Sequence, residues 1–409
     1  MLRRAVAALA LLAACSSASS DGQNASSGGG NDASTPTPVT DAAPTATDGG
    51  AEVDAAPTPA AGKLAVLTLN LHCLKTEGTA FATNQDRFAA IASAVATEDV
   101  DVVLAQEVCS MPGADARTML ADALGKATGT PWSSVAAFAH RAWEGTPDAA
   151  DESVAIFSRG ALSSPHETVH RVQGPLRRVT LGATVATRMS TPQRAVLPVR
   201  VYTVHLDYST PAARGLQARE AAGAAVFEAD AERVALDLGG GAVALPVLVA
   251  GDFNATSADP APQALRDFGF AETSGSASTQ RIDHVFAHRS VPFTREASKV
   301  LFEGAAAVSD HPGVLVRYVA ATPVPVKLTR IVARGTFPAP LSVRGNRAPL
   351  SWDQGWPAFP SAAGVALVTS ELPAGAFAYK FLRQDADWAL GADVGGSGEA
   401  DNAASPAFP

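Results

Sequence analysis

Apolar runs in this sequence repeatedly end in residues that bind cations or phosphates. Asn70 closes LAVLTLN (64–70), Glu107 closes VDVVLAQE (100–107), and His205 stands near the end of RVYTVHL (200–206). Asp252 closes PVLVAGD (246–252) with Asn254 two residues on, Asp283 sits near the head of RIDHVFA (281–287), and Ser309-Asp310-His311 follows later. Scattered through a core, such groups would cost free energy. Gathered at one rim, they offer oxygen ligands for a hard divalent cation and imidazoles for a phosphoryl group. Together they would form a hard-cation and phosphate site.

The elements that must deliver these residues are short and β-rich, and SVAIFSR (153–159) is a further one. Helix-like stretches at 87–96, 116–127 and an Ala-rich 215–238 alternate with them, which predicts an α/β domain. Ala321-Thr-Pro-Val-Pro-Val326 marks a boundary. Residues 327–409 have many Gly and Pro turns and no clear helix, and predict a small β-sandwich of Ig-like type.

In their order along the chain, LTLN, QE, ESVAIFSR, TVHLD, GDFNAT, RIDHVF and SDHPGVLV resemble the endonuclease/exonuclease/phosphatase superfamily, deoxyribonuclease I-like and exonuclease III-like enzymes included. The resemblance covers residues 63–320 and implies a four-layer α/β/β/α sandwich. By position it makes Glu107 the principal Mg²⁺ ligand, with Asn70 and Asp310 close to the ion or its waters; Mn²⁺ or Ca²⁺ could replace Mg²⁺. It makes Asp252 the group that orients or deprotonates water and Asn254 a contact to a phosphoryl oxygen. It also pairs His311 with Asp283 for charge stabilisation, and has Glu152 orient His205 beside the phosphate or leaving group. His72, His140, His166, His170, His284 and His288 match no role, and His284 reads as structural.

Six arginines and no acid lie between Thr168 and Leu206: Arg171, Arg177, Arg178, Arg188, Arg194 and Arg200. They read either as a solvated hairpin face or as a positive flank that steers an anionic substrate. Cys73 and Cys109 follow Asn70 and Glu107 closely. A disulfide bracing the two loops and a pair of free thiols both remain open.

The start of the chain reads as an address. MLRRAVAALALLAAC has a basic start and an apolar run too short to span a bilayer, as a secretory signal does. Its Leu-Ala-Ala-Cys15 ending resembles the bacterial lipobox, which implies a lipidated Cys15, a lipid anchor as the only membrane attachment, and a cell-surface or outer-membrane location. Residues 16–62 are Ser, Gly, Ala, Thr, Pro, Asp and Asn almost throughout and predict a disordered tether. Six acids and no base lie there, so much of the formal net charge of −9 says nothing about substrate. The acidic total excludes a basic nucleic-acid coat protein but not an enzyme that cuts nucleic acid.

The last 83 residues resemble starch-binding-type carbohydrate-binding modules through VRG, a Trp-Asp turn, LPAG and YKF, which places Trp352, Lys380 and Trp388 at a glycan site. The same scaffold serves elsewhere as a plain spacer, and that role is the one expected. The whole predicts an exported, monomeric, Mg²⁺-dependent phosphodiesterase, foremost a surface nuclease for DNA or RNA. A sphingomyelinase-type phospholipase acting on a lipid head group, a phosphomonoesterase, and a non-catalytic glycan-binding surface protein stand as alternatives. RIDHVF in place of a WCDR motif counts against an inositol 5-phosphatase.

Overall fold

A computed structural model describes residues 62–190, 195–232, 234–235, 242–243, 245–275, 281–321, 327–337, 339–362, 365–370 and 372–409. The lipobox with Cys15, nearly all of the tether, Arg194 and residues 322–326 lie outside that set.

Strict alternation in Lys63–Asn70 sets the layering, because neighbouring side chains of a strand leave opposite faces. Leu64 and Val66 point into a core between two sheets, while Ala65, Leu67 and Leu69 point out beneath helices. The first sheet runs in the order Phe293–Leu301, Gly313–Ala320, Lys63–Asn70, Val102–Met111, Ala150–Ser158, Ser133–Ala142. The second runs Phe270–Glu272, Asp283–His288, Val247–Asp252, Pro198–His205, Val179–Ala186, Leu162–Val169. Val102, Leu104 and Ile156 of the first meet Leu181, Val201, Leu248 and Val285 of the second in a dry interior.

Helices α1 (Asn84–Thr97) and α2 (Ala116–Thr128) cover the outer face of the first sheet. Thr83 and Asp115 cap them by accepting from Asp86 N and Thr118 N. Helices α3 (Pro211–Ala231) and α4 (Pro260–Asp267) cover the second sheet. The four layers are thus α/β/β/α. α3 starts four residues before the expected 215 and stops at Ala231 rather than 238.

Residues after 327 fold into two sheets, one through Thr329–Arg334 and one through Leu341–Gly345 and Gly375–Arg383. They are not a detached spacer. Ile331, Val343, Trp356, Tyr379 and Phe381 share one buried core with Ala218, Ala222, Phe268 and Val249 of the α/β part. Trp356 stacks on Phe268 at 3.6 Å between centroids. A Cβ added to Gly223, in the middle of α3, would lie 3.1 Å from both Phe359 and Pro357, so the helix is glycine where the last domain presses on it. Arg330 binds both carboxylate oxygens of Asp230 at 2.6 and 2.7 Å across the seam. No helix among the described residues is long and apolar enough to cross a membrane.

Candidate active site

The two inner sheets bring their strand ends to one rim, and pairing register does much of the positioning. Asp252 is the register partner of His205 in the parallel strand on one side and of Asp283 in the antiparallel strand on the other. Gly251 permits this close approach: its φ is 147°, and a Cβ there would lie 2.0 Å from the Val204 carbonyl oxygen. On the first sheet, Asn70 is paired with Gln106, and the strand bulges between Ala105 and Val108. Glu107 occupies that bulge with φ 49°, a conformation unusual for a glutamate and one that re-aims its side chain.

Asn70 ties the sheets together. Its Nδ2 donates to Glu107 Oε1 at 2.9 Å and to Asp252 Oδ2 at 3.2 Å, while its Oδ1 accepts from His72 N. His311 Nδ1 lies 2.8 Å from Asp283 Oδ2, and His205 Nε2 lies 3.6 Å from Asp252 Oδ2. Asn254, with φ 49°, donates its backbone N–H to Asp252 Oδ1 and one amide hydrogen to the Leu206 carbonyl. The residues line a cavity of about 340 Å³ that contains Glu107, Glu152, His205, Asp252, Asn254 and His311. Asp310 stands beside it on an exposed turn, accepting from Ser309 Oγ and paired with His72 Nδ1 at 3.1 Å.

Burial raises the Asp252 carboxyl above the usual carboxylate range, and the neighbouring charge of Asp283 adds to it. Burial works against a proton on His311, but the Asp283 hydrogen bond and the charges of Asp283, Asp252 and Asp310 win, pushing it up to about 10. His205 goes the other way. Burial, reinforced by the Arg178 guanidinium, brings it down to about 4. One imidazole is therefore charged and the other neutral on either side of the same carboxylate.

Arg178, expected only as one of six arginines on a hairpin, and His140 and His72, expected to have no role, all belong to the site. Arg178 Nη1 donates to His205 Nδ1 at 3.0 Å and to Glu152 Oε1 at 3.1 Å, so the Glu152–His205 contact of 3.3 Å is a triangle with an arginine at its third corner. His140 Nε2 flanks Glu152 at 3.4 Å. The arginine stretch is neither a solvated face nor a free positive flank, because its described members are paired. Arg171 sits against Glu220 and also donates to the carbonyls of Leu341 and Ala358 in the last domain. Arg177 reaches Glu167, Arg188 reaches Asp99 and Asp101, and buried Arg200 reaches Glu228 and Glu232. His284 is held between Glu272 Oε1 and the Ala255 carbonyl, a structural place.

A hard cation fits this donor set. Glu107, Asp252 and Asp310 supply carboxylate oxygens at the rim, Asn70 turns its amide nitrogen to the first two of them, and Asp283 Oδ1 is buried without a hydrogen-bond partner. So few carboxylates suit Mg²⁺, which keeps several of its waters. Donor atoms of Asp252, Asp283 and His311 also lie within 4.8 Å of one another, but Asp283 already holds His311 Nδ1, which leaves the oxygen set at Glu107 the better ligand group. Below the two loops, Cys73 and Cys109 are joined in a disulfide with their Cα atoms 4.7 Å apart, and Cys73 N donates to the Glu107 carbonyl. The buried Arg87 guanidinium adds hydrogen bonds to the carbonyls of Leu71, Cys73 and Val308.

In the last domain, Trp352 and Trp388 approach to 6.1 Å between centroids, and Lys380 Nζ donates to the Gly391 carbonyl. The three residues assigned to a glycan site therefore lie on neighbouring segments of that domain.

Residues 67–311 match the Endonuclease/Exonuclease/phosphatase family. Among solved structures, an endonuclease/exonuclease/phosphatase from Beutenbergia cavernae is similar at TM-score 0.50 and 19% identity, over 82% of this chain and 99% of that one. A mannosyl-6-phosphatase from Bacteroides thetaiotaomicron is similar at 0.45 and 18%, over 63% of this chain and 99% of that one. The human Nocturnin catalytic domain with bound sulfate is similar at 0.45 and 13%, over 63% and 95%. No curated protein matches the chain by sequence. At such identities the first of these likenesses speaks for the fold alone.

Proposed function

The chain belongs to the endonuclease/exonuclease/phosphatase family of phosphoesterase and nuclease-type hydrolases, and from that premise we propose that it hydrolyses phosphodiester bonds of nucleic acid with the help of a divalent cation. The carrying observation is Asp252, held between neutral His205, protonated His311 and the Asn70 bridge to Glu107. Glu107, with Asn70 and Asp310 beside it, would hold Mg²⁺, or Mn²⁺ or Ca²⁺ in its place, which when bound would offset charge on the phosphoryl oxygens.

The chain's own residues do the rest. Asp252, made more basic by burial, takes the proton of a water aligned with the phosphorus. Charged His311, anchored by Asp283, stabilises the negative charge that grows on the phosphoryl oxygens. His205 accepts from Arg178 at Nδ1, which leaves its Nε2 hydrogen facing the cavity as a donor to the phosphate or leaving group. Arg178, held in place by Glu152, fixes that tautomer, and Asn254 offers its remaining amide hydrogen to a phosphoryl oxygen. The water oxygen bonds to phosphorus as the bond from phosphorus to the ester oxygen breaks; the water's proton stays on Asp252 and the leaving oxygen takes up one from solvent.

Hydrolysis of bis-p-nitrophenyl phosphate with and without Mg²⁺, followed by plasmid DNA, RNA, sphingomyelin and inositol phosphates in parallel, tests this reading. Activity untouched by Glu107→Ala or His311→Ala would sink the assigned mechanism. Sphingomyelin hydrolysis without nucleic-acid cleavage would move the assignment to a phospholipase. The lipobox-like ending at Cys15 supports export and lipid anchoring at a bacterial surface, with the enzyme otherwise a monomer. The tilted Trp352–Trp388 pair favours a second role for the last domain, glycan binding by stacking on sugar rings. Retention on a starch or cyclodextrin resin, lost in Trp388→Ala, tests that role.

A further inference from the structure

Two aromatic side chains at the mouth of the catalytic cavity have no part in hydrolysis. Trp143 lies on the turn after strand Ser133–Ala142 and Tyr208 on the turn after Pro198–His205, and both line the cavity that holds Glu107, Asp252 and His311. Trp143 is 36% exposed and Tyr208 55%. Large rings left this open to water forgo part of the gain from burial, so their position calls for a cause.

Both rings stand on braced backbone. The Trp143 carbonyl accepts from Thr146 Oγ1 at 2.7 Å and from Thr146 N at 3.1 Å, and Trp143 itself has φ 46°, a costly conformation for a bulky residue. Arg214 Nη1 donates to the carbonyls of Asp207 at 2.9 Å and Tyr208 at 3.1 Å. Buried Asp207 in turn accepts from the backbone N–H groups of Ser209 and Thr210. Rings on turns held this way are prepared to receive a flat partner, because little loop freedom is left to lose on binding.

The charges beside them narrow the partner. Lys75 Nζ stands 4.0 Å from the Trp143 ring centroid, and Arg141 and Arg178 line the same cavity. Aromatic walls alone would also suit a quaternary ammonium head group. The Lys75 ammonium, already over the Trp143 ring, would compete with it for that face. A loop meant to enter a bilayer would be flanked by apolar neighbours rather than by Lys75, Arg141 and Glu152. Cations for backbone phosphates interleaved with flat rings for bases are the recognition chemistry of single-stranded nucleic acid, whose unpaired bases are free to stack.

We propose that Trp143 and Tyr208 are base-stacking walls, which make the site select a phosphodiester flanked by unpaired bases: single-stranded nucleic acid over duplex. The inference rests on reading the cavity as a phosphodiesterase site.

The test uses the full chain with Mg²⁺ and compares kcat/KM on a single-stranded oligonucleotide, its duplex, and a strand that is abasic on both sides of one cleavable phosphodiester. The wild-type enzyme is expected to prefer the intact single strand over the other two. Trp143→Ala and Tyr208→Ala should each lower kcat/KM on the intact strand by about 10-fold or more, mainly through KM, since one stacked base contributes about 1–3 kcal/mol. They should change the rate on the abasic strand far less, which also shows that the variants fold. Trp143→Phe should recover most of the loss. Equal cleavage of intact and abasic strands by the wild type, or an equal loss on both strands in the variants, would overturn the stacking walls while leaving the phosphodiesterase reading standing. Release of phosphocholine from sphingomyelin vesicles with no oligonucleotide cleavage would overturn the substrate class. Inertness toward every phosphodiester would remove the underlying reading itself.

Discussion

His311, on the turn before strand Gly313–Ala320, meets Asp283 of strand Asp283–His288 at 2.8 Å, and that contact, with the charges of Asp283, Asp252 and Asp310, keeps a half-buried imidazole protonated where burial alone would strip it. If the charge acts on the phosphoryl group, His311→Gln should lower kcat on bis-p-nitrophenyl phosphate by about 10²–10³-fold with little change in KM. Circular dichroism should remain that of the parent. An unchanged kcat would remove His311 from the chemistry.

Glu107 is positioned by a bulge and a left-handed backbone rather than by a regular strand. Glu107→Gln keeps the shape and the Asn70 contact but loses the charge. Calorimetric titration with Mg²⁺ should show affinity falling at least about tenfold, as expected when a hard cation loses its main carboxylate. Parent-like affinity would place the ion elsewhere.

The Cys73–Cys109 bond closes a loop with a sequence separation of 36 residues beneath the same bulge. Chain-entropy arguments give such a link about 3–4 kcal/mol. Dithiothreitol, or the double Cys→Ser variant, should lower the denaturant midpoint accordingly. It should also weaken Mg²⁺ binding, because Cys73 N holds the Glu107 carbonyl.

Trp356 lies in the core shared by the α/β part and the last two sheets. Trp356→Ala should cost about 3–5 kcal/mol, and thermal melts of residues 63–409 should show one transition rather than two. A chain cut after residue 321 should be unstable or aggregate, since it would expose Phe268 and the flank of α3. Two well-separated melts would contradict the shared core.

Glu272 offers a stability test away from the site. Burial would raise its carboxyl, but hydrogen bonds from His284, Ser257 and Ser274 bring it down to about 2. A lowered carboxylate contributes stability above its unfolded value of 4.5, and that contribution disappears as pH falls toward 2. Glu272→Gln should therefore flatten the acid limb of stability between about pH 4.5 and 2. An unaltered limb would show that other carboxylates govern acid unfolding.

The strand ends were legible because each is a polar residue closing an apolar run, and an ordered set of such endings has few explanations other than a site. Arg178 was not legible. An arginine among five others carries no sign that it alone reaches His205. Trp143 and Tyr208 were equally hidden, since their meaning comes from two turns meeting across a cavity. The shared core did leave a trace. α3 has alanine or glycine on nearly every side, and a helix without a polar face is buried all round. Taking the Pro-rich 321–326 stretch as the edge of an independent module obscured it. The arginine run misled for a related reason, because a count of bases without acids ignores partners from elsewhere in the chain such as Glu152, Glu228 and Asp101.

Gly223 and Trp356 bind the two halves to each other's history. A recombination event that exchanged only the last domain would bring unfamiliar side chains against α3, and one that exchanged only the α/β part would strand Trp356 without Phe268. The seam is therefore a demand on both sides at once, and a change at Gly223 or Trp356 would need a matching change across it.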